Sequence, residues 1–237
     1  MLNINDYMDK ILCADCLDIL KQLPDKCIDL VLTDPPYIIE NHGGTKSEIA
    51  KRVAKVRDKI DDLTKDFDFG NITKELLRIC KHTNIVMFCS KQQVSRTMQF
   101  FESRNYQVNL CVWDKTNPAP LGNNKLINNL EYIVIARQSG SYFNNDLPVN
   151  KKRMSFVYPT GIKEHHPCEK PIDLISDFIN LYSKENDLIL DCFSGSGTTA
   201  VACHNLKRRF ICIEKDYDYW KASVERLENA KAQLKLF

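Results

Sequence analysis

Short β-branched apolar runs alternate along the chain with segments whose apolar residues recur at helical spacing. That alternation predicts an α/β fold on a largely parallel sheet. Strands are expected at Lys10–Ala14, Ile28–Thr33, Asn84–Cys89, Gln107–Trp113, Leu130–Ala136, Leu188–Asp191 and Phe210–Glu214, seven in all and enough for one open sheet. Helices are expected at Cys16–Gln22, Ile72–Cys80, Lys91–Arg104, Pro171–Tyr182, Thr198–Asn205 and Tyr217–Leu234, the last with Trp220, Val224 and Leu227 at a helical period. Two polar excursions interrupt the rhythm. Residues 38–71 carry Gly43-Gly44 followed by mixed charge, and residues 137–165 carry Ser139-Gly140-Ser141, Asn144-Asn145 and Lys151-Lys152-Arg153. Excursions of this length inside a compact domain either serve a function or lack order. No repeat or low-complexity tract divides residues 1–237, so a single domain is expected.

Composition narrows the class without naming it. A 43% hydrophobic and 27% charged chain can build an ordinary core. The 33 basic residues stand against 31 acidic ones, too even for a protein that coats nucleic acid, so any nucleic-acid face is local. Ten cysteines are scattered through apolar stretches, where a reduced thiol packs as a small hydrophobe. Cys13 and Cys16 form one Cys-x-x-Cys without a second ligand pair, and His165 and His166 have no supporting cluster, so no metal is expected. The amino-terminal residues lack a basic cap and an apolar run, and no stretch is long enough to span a membrane; a cytoplasmic protein with no membrane partner is expected.

Candidate chemistry begins near the carboxyl terminus. The buried strand ending at Asp191 runs into Cys192-Phe193-Ser194-Gly195-Ser196-Gly197 and then the helix opening with Thr198-Thr199. Strand, glycine turn and helix bring backbone close to a nucleotide-like ligand. The next strand ends on Glu214, about 20 residues on, where a carboxylate grips ribose hydroxyls. No lysine follows the glycines, the third dinucleotide glycine is missing, and Asp191 would repel a pyrophosphate. A cationic, hydroxyl-bearing ligand suits the turn better, and S-adenosylmethionine has a sulfonium, an ammonium and a ribose. Taken alone, the glycines would also serve a tight turn with no ligand.

The strand Ile28–Thr33 delivers Asp34-Pro35-Pro36-Tyr37 to its carboxyl edge, where open α/β sheets bind ligands. Two prolines stiffen the turn and leave its carbonyls as acceptors. An amino group on an aromatic ring is a poor nucleophile because its lone pair is delocalised. If the Asp34 carboxylate and the Pro35 carbonyl each accept one amino hydrogen, the nitrogen can turn its lone pair toward a methyl sulfonium, and the same groups stabilise the charge that develops. Tyr37 would stack on a base extruded from the duplex. As a bare tetrapeptide the same residues also make a strand-terminating turn.

Together these residues resemble the bacterial DNA amino-methyltransferases of the beta class, the circularly permuted group in which the catalytic motif precedes the cofactor motif. Asp34-Pro35-Pro36-Tyr37 is similar to that family's catalytic motif in its adenine form; cytosine-N4 enzymes more often begin with Ser. Phe193-Ser194-Gly195-Ser196-Gly197-Thr198-Thr199 resembles the cofactor loop, Glu214 the ribose acid, and Asp15 the acid beside the cofactor's adenine. His166-Pro167-Cys168-Glu169-Lys170-Pro171 is similar to the His-Pro-x-x-Lys-Pro element, which implies that Lys170 helps hold the methionine end. Trp113-Asp114-Lys115-Thr116-Asn117-Pro118 resembles the loop near the target base, which implies DNA contacts for Lys115 and Asn117. Cys192 replaces a common Pro, and Cys168-Glu169 a common Thr-Gln.

The resemblance implies a Rossmann-like, S-adenosylmethionine-dependent methyltransferase fold with a seven-stranded, mostly parallel sheet. It implies site-specific methyl transfer to adenine N6 in DNA by base flipping, with DNA as partner and a homodimer and a cognate restriction endonuclease as further candidates. Residues 137–165 become a short target-recognition insert, and 38–71 a mobile loop after the catalytic motif. Lys151-Lys152-Arg153 reads either as a solvated turn or as a phosphate clamp. Lys170 reads from its neighbours either as a solvated lysine or as a carboxylate's partner. Cytosine-N4 transfer and a non-catalytic DNA-binding module that retains the fold are the alternatives.

Overall fold

The computed structural model of the chain describes residues 4–37, 68–118, 126–161 and 168–234. Residues 38–67 of the expected mobile loop, together with His165, His166 and Pro167, lie outside the described residues.

The strands are β1 (Lys10–Cys13), β2 (Leu30–Thr33), β3 (Asn84–Cys89), β4 (Gln107–Lys115), β5 (Leu130–Arg137), β6 (Ser155–Tyr158), β7 (Leu188–Asp191) and β8 (Arg209–Glu214). They form one sheet in the order β1-β8-β7-β2-β3-β5-β4-β6. β5 is antiparallel to both of its neighbours, and every other pairing is parallel. The helices are α1 (Cys16–Leu20), α2 (Phe69–Ile79), α3 (Lys91–Glu102), α4 (Ile172–Tyr182), α5 (Thr198–Asn205) and α6 (Tyr217–Leu234).

Eight strands replace the expected seven. The addition, β6, comes from within the 137–165 excursion, where only Phe156 of its four residues is buried. It lies at the sheet edge beside β4, with Trp113 in register with Phe156.

Strand side chains divide between the two faces with period two. Leu30, Leu32, Val86, Phe88, Ile189, Phe210 and Cys212 join the core beneath α4, α5 and α6. Val31, Ile85, Met87, Leu190, Ile211 and Ile213 join the core beneath α1, α2 and α3. Burial on both faces explains why these strands read as continuous apolar runs. Neighbours β7 and β2 diverge in connection, one leading through α5 to β8 and the other toward β3. Their carboxyl ends therefore flank the reversal of strand order where open α/β sheets leave a crevice.

Candidate active site

At the end of β7 the chain must turn sharply into α5, and two buried carboxylates hold that turn. Asp191 Oδ1 accepts from Thr33 Oγ1 at 3.1 Å and from the Phe193 N–H at 3.1 Å, while Oδ2 accepts from Thr199 Oγ1 at 2.6 Å. Burial pushes the Asp191 carboxyl up to about 6 against the pull of these donors. Glu214, 8% exposed, accepts from the Gly195 N–H through Oε2 and from the Asp216 N–H through Oε1, each at 2.8 Å. Burial also raises Glu214. Gly195 and Gly197 have φ of 49° and 74°. At Gly197 a Cβ would lie 2.9 Å from the Ser223 Cβ, so glycine answers both the conformation and the close approach of α6. Arg226 of α6 donates to the Ser196 carbonyl and to Thr198 Oγ1, both at 3.0 Å, and pairs with Glu169 at 2.8 Å.

The turn after β2 is organised differently. Asp34 Oδ2 accepts a short bond from Lys170 Nζ, whereas its buried Oδ1 has no hydrogen-bond partner of good geometry among the described residues. Lys170, 7% exposed, also lies 3.3 Å from Glu131 Oε2, and Glu131 Oε1 pairs with Lys115 at 2.7 Å. The Tyr37 hydroxyl donates to Glu131 Oε2 at 3.3 Å, and the Lys170 ammonium stands 5.6 Å from the Tyr37 ring centre. Gln93 of α3 donates to the Pro36 carbonyl at 3.0 Å, which leaves the Pro35 carbonyl as the motif's second acceptor. Burial pushes Asp34 up, Lys170 opposes it and Glu131 reinforces it. Burial opposes charge on Lys170, yet Asp34 and Glu131 hold the ammonium above the usual lysine range. Glu131 is buried as well, and Lys170 and Lys115 keep it below the usual carboxylate range. Burial and the charges of Asp34 and Glu131 hold the Tyr37 phenol well above its ordinary value.

The structure brings Asp34, Pro35, Pro36, Tyr37, Lys170, Asp191, Phe193, Ser194, Gly195, Gly197, Thr198, Thr199 and Glu214 to one sheet edge, at or beyond the carboxyl ends of β2, β7 and β8, where Lys170 meets Asp34 and Glu214 meets Gly195. Asp15 follows β1 at the same sheet edge, capping α1 through the Leu17 N–H at 2.9 Å and pairing with Lys215 at 3.2 Å. Lys170, expected at the methionine end of the cofactor and also read as a carboxylate's partner, is bonded to Asp34 of the catalytic motif and lies beside Glu131. The residues expected at DNA are largely engaged with the protein. Lys115 is 14% exposed and held by Glu131. Asn117 Nδ2 donates to the Thr160 carbonyl at 3.2 Å, and its Oδ1 accepts from the Thr160 N–H at 2.6 Å. Lys151 pairs with Asp177 at 3.0 Å, Lys152 donates to the Asn145 carbonyl at 2.8 Å, and Arg153 is exposed.

Sequence reasoning missed Glu131, Thr33, Gln93 and Arg226. A lone acid at the head of an otherwise apolar strand was the available signal for Glu131, and a polar end to the apolar run was that for Thr33. Nothing local distinguishes Gln93 or Arg226. No group of three or more His, Cys, Asp or Glu residues placed to hold a metal occurs among the described residues. None of the helices among the described residues is long and apolar enough to cross a membrane.

Residues 28–225, which contain both turns, match the family model described as DNA methylase. The Type II methyltransferase M.HinfI of Haemophilus influenzae is 29% identical over 97% of this chain and 71% of its own length. The Type II methyltransferase M2.MboI of Moraxella bovis is 30% identical over 98% of this chain and 90% of its own. Among solved structures, the complex of M1.HpyAVI with S-adenosylmethionine superposes with a TM-score of 0.69 at 26% identity, covering 92% of this chain and 99% of that one.

Proposed function

The chain belongs to the DNA methylase family, and from that premise we propose that it methylates the N6 amino group of adenine, with Asp34 and Pro35 accepting the amino hydrogens and Tyr37 stacking on the flipped base. The protein is a site-specific, S-adenosylmethionine-dependent DNA methyltransferase. That membership sets aside the non-catalytic alternative.

The residues at the crevice fit the cofactor. Asp191 and Glu214 brace a glycine turn that carries no lysine, and Asp15 follows β1 at the same sheet edge, a set suited to a cation with hydroxyls and unsuited to a pyrophosphate. Glu214 Oε1 and Oε2 each hold one backbone N–H and keep a lone pair for ribose hydroxyls. S-adenosylmethionine, when bound, supplies a methyl group on positively charged sulfur.

The observation that carries the catalytic reading is the buried Asp34 Oδ1, an acceptor beside an aromatic ring that has no hydrogen-bond partner of good geometry among the described residues. A buried acceptor without a partner is costly, and it is retained where a substrate supplies the missing donor. Here that donor is an amino N–H. With one hydrogen on Asp34 and the other on the Pro35 carbonyl, the nitrogen approaches a pyramidal geometry, and the carboxylate stabilises the positive charge that grows on it. The proton that nitrogen then sheds has Asp34 as its nearest acceptor.

Cytosine N4 offers the same amino group; Asp at the first motif position favours adenine, in line with the resemblance. DNA treated with the purified protein and digested to nucleosides should contain N6-methyladenine. N4-methylcytosine in its place overturns the choice of base.

DNA is the substrate, and Lys152 and Arg153 in the 137–165 region are proposed to meet its phosphates, Lys151 being held by Asp177. A single domain, a cytoplasmic location, a homodimer and a cognate restriction endonuclease complete the reading; relatives named as Type II methyltransferases support the endonuclease. Light scattering with and without DNA tests the dimer.

A further inference from the structure

The charged cluster beside Asp34 contains more than amino acceptance and base stacking require. Glu131 heads β5, 19% exposed, and its two oxygens have separate partners. Oε1 faces Lys115 at 2.7 Å; Oε2 faces Lys170 at 3.3 Å and accepts from the Tyr37 hydroxyl at 3.3 Å. The segment after β2, the end of β4 and the residues ahead of α4 therefore meet on one carboxylate.

Charge explains why a second carboxylate is useful here. Lys170 alone would neutralise Asp34, and an ammonium beside a nitrogen that is gaining positive charge opposes the transfer. With Glu131 present, one cation stands against two anions next to the reacting position, and the balancing Lys115 sits on the far oxygen.

We propose that Glu131 is a positioning residue of this centre, which acts through Lys170 and Tyr37 to set the placement and charge of Asp34 without touching the substrate. The proposal rests on the reading of Asp34 as the amino acceptor. The groups facing Asp34 are Lys170, Glu131, Tyr37 of its own segment, Cys89 at the end of β3 and Asp191 at the end of β7. Activity requires ionised Asp34, so its titration sets an acid limb. The negative charge of Glu131 pushes that limb up, and loss of the charge lets it fall.

The test compares the full chain with its Glu131→Gln variant, which keeps the shape and an acceptor for Tyr37 but removes the charge. Single-turnover transfer to DNA is measured across pH, with steady-state KM, calorimetric cofactor affinity and thermal unfolding alongside. The expected result is a rate at neutral pH lower by at least about tenfold, with KM for DNA and cofactor affinity within about twofold and the acid limb at lower pH. Lys115→Met removes a cation from the far oxygen and moves the limb to higher pH.

An unchanged rate in Glu131→Gln, or a reduced rate whose acid limb does not move down, overturns the proposal; the latter is what a merely structural Glu131 gives. If Glu131→Gln does not fold, Lys115→Met decides by the direction of its limb, and a limb that stays or falls overturns the proposal. Asp34→Ala, which removes the acceptor itself, separates the two readings. Full activity in Asp34→Ala removes the amino-acceptor reading, whereas an inactive Asp34→Ala beside an unperturbed Glu131→Gln removes only the role of Glu131.

Discussion

The turns after β7 and after β2 lie side by side at one sheet edge, yet they are held by different forces. In the first, Asp191 and Glu214 each hold at least one backbone N–H, and Asp191 adds two hydroxyls, so the loop is fixed by short local bonds before any ligand arrives. In the second, Lys115, Glu131 and Lys170 reach in from three other parts of the chain to fix Asp34 and Tyr37, and one buried oxygen has no partner of good geometry among the described residues. The first turn is assembled mainly from backbone N–H groups and hydroxyls of its own segment and the strand that follows, with Thr33 of β2 as a distant donor. A reacting centre that must keep an acceptor open is assembled from distant charges that cancel one another.

The comparison breaks most readily at Asp34. Asp34→Ala should lower single-turnover methyl transfer by at least about a thousandfold, because interactions realised only as charge develops act on the chemical step. Cofactor affinity by calorimetry should stay close to wild type, since the turn after β7 does not depend on Asp34. A parallel loss of cofactor affinity would join the two turns into one unit.

Asp191 tests the other side. Its carboxyl titrates at about 6 when folded, above its ordinary 3.8, so the folded state binds that proton more tightly than the unfolded chain. Its contribution to stability is therefore complete below its ordinary range and declines as pH rises through about 6. Asp191→Asn keeps the shape and abolishes the titration. Between about pH 4 and about pH 7 the wild type should lose roughly 2–3 kcal/mol of stability relative to the variant, measured by denaturant unfolding at each pH.

A smaller effect sharpens the picture of the glycine turn. Gly197→Ala places a methyl group 2.9 Å from the Ser223 Cβ at a φ of 74° and should cost about 1–2 kcal/mol, read as a lower Tm together with weaker cofactor binding. The smallest effect is expected for Tyr37→Phe. The ring is retained and the hydroxyl's bond to Glu131 is lost, so methyl transfer should fall by less than about tenfold, whereas Tyr37→Ala removes a stacking surface worth roughly 1–3 kcal/mol.

What was legible in the sequence follows the same division. Asn84–Cys89, Leu188–Asp191, Thr198–Asn205 and Tyr217–Leu234 lie where hydrophobic period and turn residues place them, because two-sided burial writes continuous apolar runs and the glycine turn is local. The residues at both turns were readable for the same reason. β6 was not, since one inward Phe156 in four residues is no pattern and its formation depends on pairing with β4. The partners of Asp34 and Tyr37 were not either. Glu131 is 94 positions from Tyr37, and Lys170 is 136 from Asp34, separations that only the finished sheet closes.

β5 runs against its neighbours, so it presents its beginning, not its end, to the catalytic edge. Residue 131 pairs in register with residue 113, and the Lys115 N–H donates to the Asn129 carbonyl at 2.8 Å, so the connection between β4 and β5 leaves and returns at that edge. Its two feet are clamped by the diagonal ion pair between Lys115 and Glu131. For a protein engineer this is a graft point: a longer connection inserted there would be presented beside the reacting base without altering a single strand register, provided that both clamp residues are kept.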